Sequence, residues 1–181
     1  MSGFIYVITG PMFAFKTSTL LRKVTKSRLS GKSITAFKPA VDKRYHDKKI
    51  VSHDGGSIDA LPIAPEDLES IIDLSEDFDV IILDEVQFFP KKIVDICMFL
   101  ADNGKHIYAA GLSTDAKRLP FGAMPDLLAC ADEIEMLTAV CHVCGGDAIY
   151  SQRLVDDDSL VLLGSDDVYR ALCRQCWLEV E

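Results

Sequence analysis

Apolar residues along this chain are spaced in two ways, and the alternation of the two predicts the architecture. Phe4 to Thr9 (FIYVIT) is a continuous apolar, β-prone run, the mark of a strand buried on both faces. Asp79 to Leu83 (DVIIL) and His106 to Ala110 (HIYAA) read the same way, and Lys32 to Lys38 (KSITAFK) reads as a further strand. Between them the spacing lengthens. Leu20, Leu21 and Val24 recur at helical intervals from Ser18 to about Leu29, with Ser30-Gly31 as a stop. Pro65 opens a helix through Leu74, and Pro90 opens another that stops at Asn103-Gly104. Strands alternating with helices predict an α/β fold, a mostly parallel sheet flanked by helices with right-handed crossovers. One connection stands out: Pro39 to Ser57 is polar, charged and rich in Asp, His and Gly. A link that long is usually functional or mobile.

Beyond about Ala139 the rhythm stops. Cysteine pairs, short β-prone pieces and an acidic turn (Asp156, Asp157, Asp158) take over. The expected organisation is an α/β unit over residues 1–138 and a small β unit over 139–181.

Composition narrows the functional classes. Hydrophobic residues make up 49% and charged residues 26%, as in a globular protein and unlike a disordered one. A formal net charge of -9 argues against general nucleic-acid binding, which needs a basic face to displace counterions. The run Arg22, Lys23, Lys26 and Arg28 is expected to be a solvated face or subunit edge rather than a nucleic-acid patch. No stretch reaches the roughly 18–20 apolar residues that span a bilayer. Met1 to Phe13 is apolar but lacks a basic leader and a cleavage site, so a cytoplasmic location is expected. In that reducing compartment the six cysteines favour metal ligation over disulfides.

Three groups of residues carry chemistry. The first is Gly10-Pro11-Met12-Phe13-Ala14-Phe15-Lys16-Thr17, which nearly spells the phosphate-binding loop G-x-x-x-x-G-K-[ST] between a buried strand and a helix. In such a loop backbone N–H groups surround the phosphates of ATP. Lys16 would reach the transferred phosphate, and the Thr17 hydroxyl would bind Mg²⁺. Phe15 stands where the motif has glycine, a substitution that predicts either weakened ATP binding or a rearranged loop. The second group is Asp84-Glu85, which ends the DVIIL run at the edge where an open parallel sheet presents ligands. Asp84 is expected on the Mg²⁺ side, and Glu85 as the base that takes a proton from an attacking hydroxyl. Solvation of a strand end is the plainer role for such a pair, and its co-occurrence with Lys16-Thr17 argues against it. The third group is Cys141-x-x-Cys144 with Cys173-x-x-Cys176, a spacing that predicts a closed structural Cys₄ zinc site. Cys97 and Cys130 fall on apolar helical faces and read as core residues.

These residues lie within a wider set: GPMFAFKT, KPAVDKRY, HDG at 53–55, LDEVQFF, PFG at 120–122, LTAVCHVCG, QRL at 152–154 and CRQC at 173–176. In order and spacing, from about Tyr6 to Trp177, the set resembles the type II thymidine kinases. The resemblance implies a P-loop kinase that transfers the γ-phosphate of ATP, with Mg²⁺, to the 5′-hydroxyl of thymidine or deoxyuridine. Glu85 matches the family's base, while Asp42 and Arg44 match residues near the 5′-hydroxyl. Met12, Phe88, Leu112 and Phe121 match the apolar pocket around the thymine ring. The excursion between the cysteine pairs matches a substrate-covering lasso loop, with Ser151, Leu162, Gly164 and Tyr169 in corresponding positions. The resemblance also implies a homotetramer, with thymidine triphosphate as a feedback inhibitor.

The chain departs from that pattern at Phe15, at Ser113 in place of a common Asp, at Ala116 in place of Phe and at Ser151 in place of Thr. Phe15 and Ser113 motivate a second reading, a catalytically lapsed nucleotide binder of the same fold. A zinc-ribbon ATPase acting on nucleic acid is a third, opposed by the charge balance.

Overall fold

The computed structural model describes residues 2–42, 46–155 and 168–180. In chain order its elements are β1 (Phe4–Thr9), α1 (Lys16–Leu29), β2 (Ile34–Pro39), β3 (Lys49–Val51), β4 (Ser57–Asp59) and β5 (Leu61–Ile63). There follow α2 (Ser70–Leu74), β6 (Val80–Leu83), α3 (Ile93–Asp102), β7 (His106–Gly111), α4 (Met124–Cys130) and β8 (Glu133–Met136). The C-terminal part holds β9 (Ala139–Val140), β10 (Asp147–Ala148), β11 (Tyr150–Arg153), β12 (Tyr169–Leu172) and α5 (Arg174–Val180).

Six strands form one sheet in the order β5-β2-β6-β7-β1-β8, and every pairing in it is parallel. Side chains alternate across a strand, so a sheet covered on both faces needs apolar residues at nearly every position. One face buries Ile5, Val7, Ile81, Leu83 and Ile107 against Ile93, Ile96 and Leu100 of α3 and Met124 and Leu127 of α4. The other buries Ile8, Ala36, Ile82 and Ala110 against Leu20 and Val24 of α1. Burial on both sides is the physical origin of the unbroken FIYVIT and DVIIL runs.

Several expectations are revised. The polar stretch from Pro39 to Ser57 contains β3 and leads into β4, an antiparallel hairpin whose Ile50 and Ile58 complete the α1 face. β5 is an additional edge strand, and the helix expected from Pro65 divides into a 3₁₀ turn at Pro65–Asp67 and the short α2. α1 starts at Lys16 instead of Ser18. Cys97 is buried, and burial pushes its thiol up to about 12. Cys130 is exposed instead of core, because α4 ends there and the chain turns out towards β8.

The C-terminal part consists of two antiparallel pairs, β9 with β10 and β11 with β12. Its apolar cluster joins Cys141, Ala148, Tyr150, Leu172, Cys176 and Trp177 to Ala14, with Phe13 packed against it. The loop between β1 and α1 therefore rests directly on this unit. No helix among the described residues is long and apolar enough to cross a membrane.

Candidate active site

The parallel sheet sends the ends of β1, β6 and β7 to one edge, with Thr9 level with Gly111 and Leu83 with Ala109. The phosphate-type loop leaves β1, and the acid pair leaves β6 one strand beyond β7. Across that gap the Thr17 hydroxyl donates to Asp84 Oδ2 at 3.2 Å. A hydroxyl and a carboxylate at that separation, on a helix's first turn, can share one divalent cation. The Lys16 ammonium curls over the loop and donates to the Pro11 carbonyl at 2.6 Å. Because α1 begins at Lys16, its first amides have no intrahelical partner, the arrangement by which a helix terminus can hold an anion.

Phe15 caps that helix in the left-handed region, at φ 57° and ψ 29°, with its side chain 63% exposed. The loop thus takes the turn that glycine would give, and the benzyl group projects outward. Phe13 (φ 65°), Glu85 (φ 54°) and Arg118 (φ 62°) are left-handed as well. Such backbone costs a non-glycine residue roughly 1–2 kcal/mol; Phe13 and Phe15 lie in the β1–α1 loop and Glu85 follows β6, whereas Arg118 stacks on Tyr150 and Trp177. Gly10 is required by crowding, since a Cβ there would meet the Leu137 carbonyl oxygen at 2.4 Å.

Glu85 is held by a residue that sequence reasoning passed over. Gln87 is 3% exposed; its amide nitrogen donates to Glu85 Oε2 at 2.5 Å, and its amide oxygen accepts the Leu112 N–H at 2.9 Å. One side chain therefore sets the acid after β6 and the backbone after β7. Gly122 closes the arrangement from behind, at φ 55°, where a Cβ would lie 2.0 Å from the Gln87 carbonyl oxygen. A polar residue inside the apolar VQFF run was the available signal for Gln87.

Of the apolar residues expected around a base, Phe88 and Phe121 meet edge to face with ring centroids 5.6 Å apart. Leu112 is half-buried and donates its N–H to Gln87, and Met12 lies in the loop between β1 and α1. Asp42 is buried after β2 and lies 3.3 Å from the buried ammonium of Lys38. Ser151 is 4% exposed, and its hydroxyl accepts the Met12 N–H at 2.8 Å. Tyr169 is buried, and its hydroxyl accepts a hydrogen bond from Arg153 at 3.1 Å. Arg44, Leu162 and Gly164 lie outside the described residues. Asp54, the middle residue of the HDG at 53–55, takes hydrogen bonds from Ser52 and Ser18; these hold its carboxyl below the usual range and tie the β3–β4 hairpin to α1.

The four cysteines 141, 144, 173 and 176 place their sulfurs within 4.8 Å of one another, and Cys144 and Cys173 are 3.7 Å apart. Metal–sulfur bonds of about 2.3 Å in a tetrahedron require sulfurs roughly 3.8 Å apart, so the set fits a four-coordinate ion. Burial raises the Cys141 thiol, but the backbone N–H groups of Cys144, Cys173 and Val143 outweigh it and bring the thiol to about 6. Burial and the sulfurs of Cys173, Cys144 and Cys141 push the Cys176 thiol up, so the sulfurs of the cluster do not ionise independently.

Comparison with known proteins agrees with this geometry. The family model described as thymidine kinase matches residues 3–177. The chain is 42% identical over 175 residues to a thymidine kinase of Bacteroides fragilis, covering 97% of this chain and 87% of that one. It is 43% identical over 176 residues to a thymidine kinase of Bacteroides thetaiotaomicron, with the same coverage.

Proposed function

The chain belongs to the thymidine kinase family, and from that premise we propose that it transfers the γ-phosphate of ATP to the 5′-hydroxyl of thymidine or deoxyuridine. The observation that carries the assignment to particular residues is the Thr17–Asp84 hydrogen bond across the sheet edge, with Glu85 adjacent. In this reading the loop amides and Lys16 hold the triphosphate. Thr17 and Asp84 hold the Mg²⁺ that accompanies ATP, which offsets charge on the transferred group. Glu85, oriented by Gln87, accepts the proton of the 5′-hydroxyl as its oxygen attacks phosphorus. Asp42 and Arg44 steady the sugar end of the nucleoside. Met12, Phe88, Leu112 and Phe121 pack on the pyrimidine, and Ser151, Leu162, Gly164 and Tyr169, in the excursion between the cysteine pairs, bind the nucleoside from the other side. Residues 139–181 act as a zinc-pinned unit, with one cysteine pair on each side of that loop in the sequence. A homotetramer in the cytoplasm, inhibited by thymidine triphosphate and without nucleic-acid or membrane partners, completes the proposal.

The lapsed-binder reading rests on Phe15 and Ser113, and turnover separates the two. Zinc-replete protein should release ADP only when thymidine is present, and Glu85→Gln should lower kcat by roughly 10²–10⁴-fold. Tight thymidine binding by the wild type without ADP release would reject the kinase assignment.

A further inference from the structure

The hydroxyl of Ser151 is committed to the phosphate loop. It sits at the start of β11, 139 positions from Met12 in sequence, and takes the Met12 N–H at 2.8 Å while itself 4% exposed. That bond uses one lone pair of the hydroxyl and ties β11 to the loop, whatever else the serine lines. The neighbouring contacts point the same way. Ala14 is buried in the apolar cluster of Cys141, Cys176 and Trp177, and the Phe13 ring lies 5.8 Å from the His142 ring. Tyr150, next to Ser151 on β11 and facing the opposite side, stacks edge-on to Trp177 at 5.6 Å. β11 therefore grips the metal unit with one residue and the phosphate loop with the next. It is also the strand from which residues 154–168 depart.

We propose that Ser151 is a positioning residue for the triphosphate, tying the phosphate loop to β11 and through it to the cysteine-bearing unit. The proposal rests on the reading of residues 10–17 as the ATP loop. The physical argument is short. Three of the loop's residues, Phe13, Ala14 and Phe15, are on or beside left-handed backbone, a conformation that persists only where surroundings impose it. The Ser151 hydrogen bond fixes the loop just ahead of that stretch. Removing it leaves the Met12 N–H without its acceptor and lets the loop leave the geometry that receives phosphate.

The test is direct binding, without turnover. Calorimetric titration of MgATP into Ser151→Ala protein lacking nucleoside should show affinity weakened roughly three- to tenfold, the loss expected for one such hydrogen bond. Ser151→Thr, which keeps the hydroxyl, should restore it. Zinc content and the fluorescence of Trp177 serve as controls for an intact metal unit. If Ser151→Ala binds ATP as wild type does and loses only thymidine affinity, the serine is a nucleoside contact and the inference fails alone. If the wild type itself binds no ATP, the reading of the loop fails and the inference with it. Equal loss in the alanine and threonine variants would also overturn it, since the hydroxyl would then be irrelevant.

Discussion

Replacing Phe15 by glycine tests the phosphate loop most directly, because the structure separates two effects that the sequence combines. Phe15 occupies left-handed backbone at φ 57°, which costs a residue with a Cβ roughly 1–2 kcal/mol. Its side chain is 63% exposed, so truncation forfeits little burial. Glycine relieves the strain but gives the unfolded chain more freedom, a loss of about 0.4–1 kcal/mol. The balance is a net stabilisation on the order of 0–1.5 kcal/mol, or a rise in Tm of a few degrees for a domain of this size. Phe15→Ala is the control: it removes the ring and keeps the strain. If strain limits the loop, only Phe15→Gly should raise kcat/KM for ATP, by up to about fivefold per kcal/mol recovered. If the ring obstructs the phosphates, both variants should raise it. Parallel melting curves and a coupled ADP assay on the three proteins decide the matter. A lower Tm for Phe15→Gly would refute the strain argument. An unchanged or lower kcat/KM in both variants would show that the loop is adapted to phenylalanine.

Gln87→Met keeps the volume but leaves the Leu112 N–H unsatisfied and Glu85 without its amide donor. It should cost about 1–3 kcal/mol in urea unfolding and lower kcat more than it raises either KM. Stripping the cysteine-bound metal with a chelator should shift Trp177 emission to the red, because that residue is 5% exposed and adjacent to Cys176. The melting transition should fall and recover when zinc is returned; an unchanged emission and transition would mean that the four sulfurs hold no structural ion.

The sequence was most informative where burial is two-sided. β1, β6 and β7 lie between helix layers, so their apolar runs were unmistakable, and their ends located Lys16, Thr17 and Asp84. The β3–β4 hairpin was opaque because it contributes only Ile50 and Ile58 to the core, and its other residues are polar or solvent-facing. β5, with Pro62 on a sheet edge, carries no alternation long enough to detect. In the site, residues with a positional motif were legible and residues acting through one long-range hydrogen bond were not. Gln87 and the Ser151–Met12 pair belong to the second kind. Neither the left-handed turn at Glu85 nor the one at Arg118 has a glycine to announce it.

The order of strands in the sheet also bears on how the molecule assembles. β1 is the first strand in the sequence, yet it pairs Phe4 with His106 on one side and Tyr6 with Glu133 on the other. It has no neighbour until most of the chain exists, and pairings of such separation close slowly. The loop that follows β1 is thus among the first segments synthesised and among the last to have its strand flanked, so a nascent chain ending before β7 would carry Gly10 to Thr17 with neither neighbour of β1 in place.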